Sequence, residues 1–405
     1  MLSKIKLHWQ ILIALILAVA FGNFSPNLVQ YTSWMGVIFL RALGMVVVPL
    51  ILSSIISGVA SIGGGSNLGR LGMKTISYYI VTSLIAILTG LFFVNLFQPG
   101  VGANLGNAET LNNLPTASTS VSDILMRTIP DNIFDAMAKG QILPIIFFAI
   151  LFGAFITHIP QKKQEFLVGL FDSIFEVMMK ITMFIIRFTP LGVFAIVAKE
   201  VAKNAGSLGN IAGSLGIYML TVFAALFFHS VIILPLSVKI LGKANPYKHF
   251  RNMATPLLTA FSTSSSNAAL PLSMEATEHK NGVSAKITSF TLPLGATINM
   301  NGTALYECVA VIFIAQAYGI HLSMSQQAIV VVTALLAAIG SAGIPMAGLV
   351  MMTIVLTAVN LPLEGVGLIL AVDRILDMSR TTVNVWGDTC AAVIIAKSEG
   401  ETLNI

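Results

Sequence analysis

Asp373, Asp377, Arg380, Thr381, Asn384 and Asp388 recur at helical spacing in a segment that is otherwise mostly Val, Ile, Leu, Ala, Met and Gly. At about 100° per residue, the six positions fall within an arc of roughly 100° on one face of a helix over 366–396. These residue types suit recognition of a charged molecule. A guanidinium offers a planar fork to a carboxylate, and an Asp offers an acceptor to an ammonium. A plainer reading has Arg380 neutralising Asp377 or Asp373, its i, i+3 and i, i+7 neighbours. That reading leaves the burial of the whole cluster unexplained, since a charge at mid-bilayer costs about 2.5–3.5 kcal/mol on insertion scales. Taken together, Asp377 and Arg380 match a molecule that carries both signs of charge and an additional carboxylate.

Three further polar features interrupt apolar segments. The run Ser262, Thr263, Ser264, Ser265, Ser266, Asn267, followed by Pro271, interrupts 251–275. Gly340, Ser341, Ala342, Gly343, Ile344 and Pro345 interrupt 326–360. Both read as re-entrant helical hairpins, one from each side of a membrane, and paired interruptions of this kind point to a transporter binding site. The serines have a second reading, as hydroxyls that satisfy their own helix or form a small-residue packing surface. Hairpin helix N-termini, with free N–H groups and partial positive charge, suit a carboxylate. The sequence GATINMNG breaks a helix over 283–317 at Gly295–Gly302. It reads either as a kink or as a set of freed carbonyls joined by the side-chain oxygens of Thr297, Asn299 and Asn301, which suits a hard cation such as sodium. Asn384 and Asp388 are available to the same cation. Glu307, in ALYECVAVIF, is either a buried neutral acid or a proton carrier.

The elements that must position these groups follow from composition. Hydrophobic residues make up 56% of the 405 and charged residues only 10%, and the mean hydropathy is +0.88. An ordinary soluble enzyme is excluded, and a polytopic all-α membrane protein is indicated, because many stretches approach or exceed the roughly 20 apolar residues that cross a bilayer. Spanning helices are predicted at 6–25, 34–62, 73–98, 131–158, 163–203 and 208–242, then at 283–317 and 366–396, with a bend expected at Pro190 and Gly192. The first is expected to be an uncleaved helix rather than a signal peptide, and residues after 398 are expected to add no soluble domain. Lys4, Lys6, Arg70, Lys74, Lys162, Lys163, Lys239, Lys243, Lys248, Arg251, Lys280, Lys286 and Lys397 fall on one side if the N-terminus is cytoplasmic. Arg127, Lys199 and Lys203 fall on the other. That asymmetry puts both termini inside. The net charge of +5 does not imply nucleic acid. Cys308 and Cys390 lie in apolar helices with neither a disulfide framework nor a metal spacing. The six histidines form no cluster, and the Met-rich stretches read as packing.

The stretches FSTSSSNAALP, SFTLPLGATINMNGTALYE, AAIGSAGIPMAG and VDRILDMSRTTVNVWGD resemble the dicarboxylate/amino acid:cation symporter family. That family includes archaeal aspartate transporters, bacterial glutamate symporters and mammalian excitatory amino acid transporters. The resemblance covers essentially the whole chain and is most specific from 251 to 398. It implies eight transmembrane helices, two re-entrant hairpins, a homotrimer in the lipid bilayer, and an elevator-like movement of a transport domain against a scaffold. The scaffold would hold 1–72 and 131–203. The transport domain would hold 73–98, 204–245, hairpin 1 (246–282), the broken helix 283–318, hairpin 2 (324–362) and 363–398, with 99–130 an outside loop.

By the same resemblance, Arg380 is similar to the arginine that binds the substrate side-chain carboxylate, and Asp377 to the acceptor for its amino group. Thr381 and Asn384 resemble further substrate ligands, with Ser265 and Ser266 at the first tip and Gly343 at the second. Asn299, Asn384 and Asp388 resemble one sodium site. Thr297, Ala338, Ile339 and Ser341 resemble another, and Tyr79, Thr82 and Ser83 with Asn299 resemble a third. Glu307 matches the proton-carrying glutamate of mammalian members. The chain departs from the family in two side chains. The usual NMDG motif is Asn299-Met300-Asn301-Gly302 here. The neutral Asn301 removes a charge from the cation region, which argues against the third sodium site and for fewer sodium ions or proton coupling. Arginines that other members carry at the positions of Ser264 or Met378 are absent, and Arg374, one turn before Met378, is the candidate to replace them.

The expectation is a secondary active symporter of glutamate or aspartate in the cell inner (plasma) membrane. It would be driven by sodium, protons or both, with potassium counter-transport as an option and no organic cofactor. The rival within transport is a C4-dicarboxylate carrier. Members for neutral amino acids lack an arginine at 380, and those for C4-dicarboxylates lack the aspartate at 377, so having both favours an amino dicarboxylate. An intramembrane enzyme would need a nucleophile–base pair or metal site, and no Ser/His, Cys/His or HExxH arrangement occurs in the sequence. A channel is disfavoured by the occluding hairpins.

Overall fold

The computed structural model describes residues 7–61, 66–103, 129–203, 208–339 and 347–405, and every regular element among them is a helix. α1 (Leu7–Phe24) leads through a short 3-10 turn (Pro26–Tyr31) to α2 (Ser33–Ser61) and α3 (Ser66–Phe97). The predicted helix 131–158 is two, α4 (Ile133–Ala138) and α5 (Ile142–Ile156), parted at Gly140, whose φ is +64°. The predicted helix 163–203 is also two, α6 (Gln161–Ile186) and α7 (Thr189–Lys203). Its break falls at Arg187–Phe188, just before Pro190, as expected of a residue that cannot donate to the preceding turn.

The helix over 208–242 contains a feature the sequence reading did not foresee. α8 (Leu208–Phe228) passes into a π-helical turn (His229–Ile233) before α9 (Leu234–Ile240). Leu234 N–H reaches back to His229 O, and Pro235 follows with no N–H at all.

Hairpin 1 comprises a short α10 (Pro246–Asn252), then α11 (Ala254–Thr263) and α12 (Ser266–His279). The serine run serves as its turn. Ser264 closes α11 in the left-handed conformation at φ +52°, and Ser265 caps α12 by accepting from Ala268 N at 3.3 Å. Ser262 and Thr263 bond back to Leu258 O and Thr259 O. The broken helix is α13 (Ala285–Ile298) and α14 (Asn301–Ala317), interrupted only at Asn299–Met300. Hairpin 2 has arms α15 (Met324–Ile339) and α16 (Ala347–Ala358), and its tip at 340–346, with Ser341 and Gly343, lies outside the described residues. α17 (Val366–Ser398) is unbroken.

Three described stretches are long and apolar enough to cross a membrane: Arg70–Phe97, Gly213–Ile240 and Ala285–Ala317. α14 is buried almost throughout, as a helix that is apolar on every side must be. It is the central post against which α3, α15, α16 and α17 pack. α1 and α2 pack chiefly on α5, α6 and α7 instead.

Candidate functional site

The polar face of α17 turns inward onto α13 and α14. Asp373, Asp377, Arg380, Thr381, Asn384 and Asp388 are all buried. Arg380 is only 1% exposed, and a guanidinium that deep needs partners on several sides. Its Nε and Nη2 both donate to Asp377 Oδ1, at 3.1 and 2.8 Å, and Nη1 donates to Asp373 Oδ1 at 3.3 Å. Its Cζ lies 4.3 Å from the centroid of the Tyr306 ring, a cation–π distance. Tyr306 Oη donates to Asp373 Oδ1 at 2.7 Å. From hairpin 2, Gly348 abuts the guanidinium so closely that a β-carbon there would lie 2.8 Å from Arg380 Cζ.

Tyr306 was not singled out from the sequence, and Asp373 was placed on the polar face without a ligand role. The Arg380–Asp373 pairing read from their i, i+7 spacing is present, and the structure adds Tyr306 as a second partner of Asp373. For Tyr306 the available signal was its place beside Glu307. Arg374 stands 3.7 Å from Asp377 Oδ2 and is partly exposed.

Thr381 Oγ1 donates to Asp377 O at 2.7 Å. Asn384 Oδ1 accepts from Gly302 N at 2.7 Å, and its Nδ2 donates to Thr303 Oγ1 at 3.0 Å. Asn384 thereby caps α14, whose own N-cap residue, Met300, makes no side-chain cap. One turn on, Asp388 Oδ1 accepts from Asn299 Nδ2 at 2.8 Å, while Asn299 Oδ1 is buried with no hydrogen-bond partner among the described residues. A β-carbon on Gly295 would lie 2.5 Å from Asp388 Oδ1 and 2.6 Å from Tyr79 Oη. Only glycine lets α3, α13 and α17 converge there.

The remaining sequence candidates are distributed as follows. Ser83 Oγ donates to Asn301 Oδ1 at 2.6 Å, Tyr79 Oη to Thr291 O at 2.8 Å, and Thr82 Oγ1 to Tyr78 O in its own helix. Thr297 is exposed and bonds to Leu294 O at 2.9 Å. Ala338 is buried and Ile339 half-buried at the end of α15. No hydrogen bond joins Thr297 to either of them among the described residues. Ser266 is buried beside the capping Ser265. Glu307 is fully buried, and neither of its oxygens has a hydrogen-bond partner among the described residues. The site thus offers a clamped guanidinium, carboxylates of opposite sign beside it, and an unused amide oxygen near a carboxylate.

The profile of the sodium:dicarboxylate symporter family matches residues 7–398. The proton/glutamate-aspartate symporter of Escherichia coli is 37% identical over 414 aligned residues, covering 98% of this chain and 93% of that protein. The proton/sodium-glutamate symport protein of Geobacillus stearothermophilus is 38% identical, covering 99% and 96%. Excitatory amino acid transporter 3 of mouse is 35% identical, covering 96% and 85%. A match across nearly the whole chain, with the polar stripe of α17 inside it, means that the chain belongs to the sodium:dicarboxylate symporter family.

Proposed function

We propose that the chain is a cation-coupled secondary active symporter of acidic amino acids, glutamate or aspartate, across the cell membrane. The observation that carries this reading is the buried Arg380, held by Asp377 and Asp373 against Tyr306. A substrate side-chain carboxylate takes the guanidinium fork, and its ammonium takes Asp377. Its second carboxylate suits the N-terminus of α12, where Ser265 and Ser266 sit. Arg380 and Arg374 balance Asp373 and Asp377 in charge, so an acidic amino acid brings a net negative charge into the site. A co-bound cation offsets that charge, which is the physical reason for coupling. The bare Asn299 Oδ1 beside Asp388 favours a hard cation there. The neutral Asn301 favours fewer sodium ions or a proton, with the isolated Glu307 as its carrier. Thr381, Asn384 and Gly343 complete the substrate set in this reading, and Thr297, Ala338, Ile339, Ser341, Tyr79, Thr82 and Ser83 the cation sets.

The same reading takes α3 with α8–α17 as a transport body that moves past a scaffold of α1, α2 and α4–α7, as an elevator within a homotrimer, with both termini cytoplasmic. The test is uptake of labelled aspartate into proteoliposomes under sodium-only, proton-only and combined gradients, each with and without internal potassium. Arg380→Ala is expected to weaken apparent affinity at least about 30-fold, the cost of leaving buried carboxylates unpaired. Wild-type affinity in Arg380→Ala, or succinate outcompeting aspartate, would overturn the assignment.

A further inference from the structure

A concavity of about 450 Å³ lies between the π-turn, α9, hairpin 1 and α17, on the side of α17 opposite the polar cluster. Val231, Pro235, Tyr247, Phe250 and Leu257 are among its walls, and the buried Trp386 lies at its base. The volume is within the range of small-molecule sites, and the lining is largely apolar. Three contacts hold the Trp386 ring. His249 stacks on it at 4.7 Å between centroids, and Phe250 meets it edge-on at 5.5 Å. Its Nε1–H donates to Ser230 O at 3.1 Å. That carbonyl is free because Leu234 N–H is taken by His229 O, and the next residue, Pro235, has no N–H to offer. The π-turn is therefore what anchors the base of the groove.

The segment over 229–263, which supplies most of the groove's lining, carries Lys and Arg but no acidic residue. Lys239 lies one turn beyond Pro235, Lys243 follows α9, and Lys248 and Arg251 directly follow the lining residues Tyr247 and Phe250. All four are exposed, although Lys248 Nζ donates to Asn404 O. No Asp or Glu occurs between His229 and Thr263. An apolar slot opening among exposed Val231, Tyr247 and Phe250 next to such a basic cluster has the chemistry of an anionic lipid site.

We propose that this groove binds the acyl chain of an anionic phospholipid, with its headgroup drawn to Lys239, Lys243 and Arg251. Trp386 stands two residues from both Asn384 and Asp388, so the bound chain packs against the back of the polar stripe. The inference does not depend on which acidic substrate is carried or which cation drives it.

Trp386 supplies its own probe. The full chain carrying Trp9→Phe and Trp34→Phe is placed in liposomes, and its fluorescence is quenched with brominated-chain phosphatidylglycerol or brominated-chain phosphatidylcholine. Phosphatidylglycerol is expected to quench at a lower mole fraction. Replacing Lys239, Lys243 or Arg251 by Gln is expected to reduce that preference by about fivefold for each charge removed. Val231→Phe fills the slot and is expected to remove the quenching while helix content and aspartate uptake are retained. Equal quenching by the two lipids would overturn the proposal, as would a preference unchanged in the charge variants. Absence of quenching by either lipid would also overturn it and would mean that protein, such as a second copy of this chain, covers the groove.

Discussion

Asn301 accepts from Ser83 through Oδ1 at 2.6 Å, while its Nδ2 is buried without a hydrogen-bond partner among the described residues. Aspartate at this position is nearly isosteric, keeps the Ser83 bond, and removes only the donor that nothing uses. Asn301→Asp is therefore expected to fold and to bring a second carboxylate near the Asp388–Asn299 pair. It should lower the sodium concentration for half-maximal uptake on the order of tenfold, since an added charge at close range in a partly desolvated site is worth more than one such factor. Sodium titration of aspartate uptake checks this, and an unchanged midpoint would remove Asn301 from any cation site. The residues of α17 were legible from sequence because charge in an apolar helix is costly and their spacing puts them on one face. Tyr306, and the bond it gives Asp373, were not foreseen. Their roles arise from the approach of α14 to α17, and a tyrosine in an apolar helix carries no anomaly by itself.

The helices were legible as apolar runs, and their interruptions as glycine, proline and serine clusters. The serine run at 262–266 proved to be a helix stop followed by an N-cap, which is one of the roles serine plays best. The π-turn before Pro235 was not legible, since proline marks a disturbed helix without choosing between a kink and a widened turn. The end of α17 shows an element tied down by its tail. Glu399 accepts from Lys74 Nζ at 2.6 Å and also pairs with Arg70, both on α3. Two residues on, Glu401 Oε2 accepts from Ser284 N at 2.9 Å, just before α13. Hydrogen bonds from Lys74 and Arg70 hold the Glu399 carboxyl below its usual value. A lowered folded-state value makes the clasp stabilising above the ordinary Glu pKa of about 4.3, and that stability is lost as pH falls through the lowered value. Glu399→Gln is expected to cost about 1 kcal/mol or less, the usual worth of an exposed pair. Thermal unfolding in detergent should show its deficit at neutral pH and convergence with wild type under acid conditions. A deficit independent of pH would mean that the carboxylate charge is not what holds the tail.

At the scale of the whole molecule, the described helices pack as two groups, α1, α2 and α4–α7 in one and α3 with α8–α17 in the other, and the packing between them is thinner. Thin packing between two well-packed groups is what a sliding motion requires, because packed cores resist gradual deformation. Ile196 on α7 sits at this seam. It meets Gly36 of α2 on one side and Gly367 of α17 on the other. A β-carbon on Gly367 would lie 3.3 Å from Ile196 Cβ, close to the separation of about 3.5–4.5 Å found across disulfides. A chain carrying Ile196→Cys and Gly367→Cys should therefore oxidise readily. If the α17 group travels past the α7 group during transport, the oxidised chain loses net uptake and exchange, and reductant restores both. Each single-cysteine variant should be unaffected by oxidant, because the native Cys308 and Cys390 are buried. Aspartate binding should survive the cross-link, since Arg380 and its partners all lie within one group or at its hairpins. Uptake that continues in the fully cross-linked chain would mean that these two helices move together, and the boundary between moving and fixed parts would have to lie elsewhere.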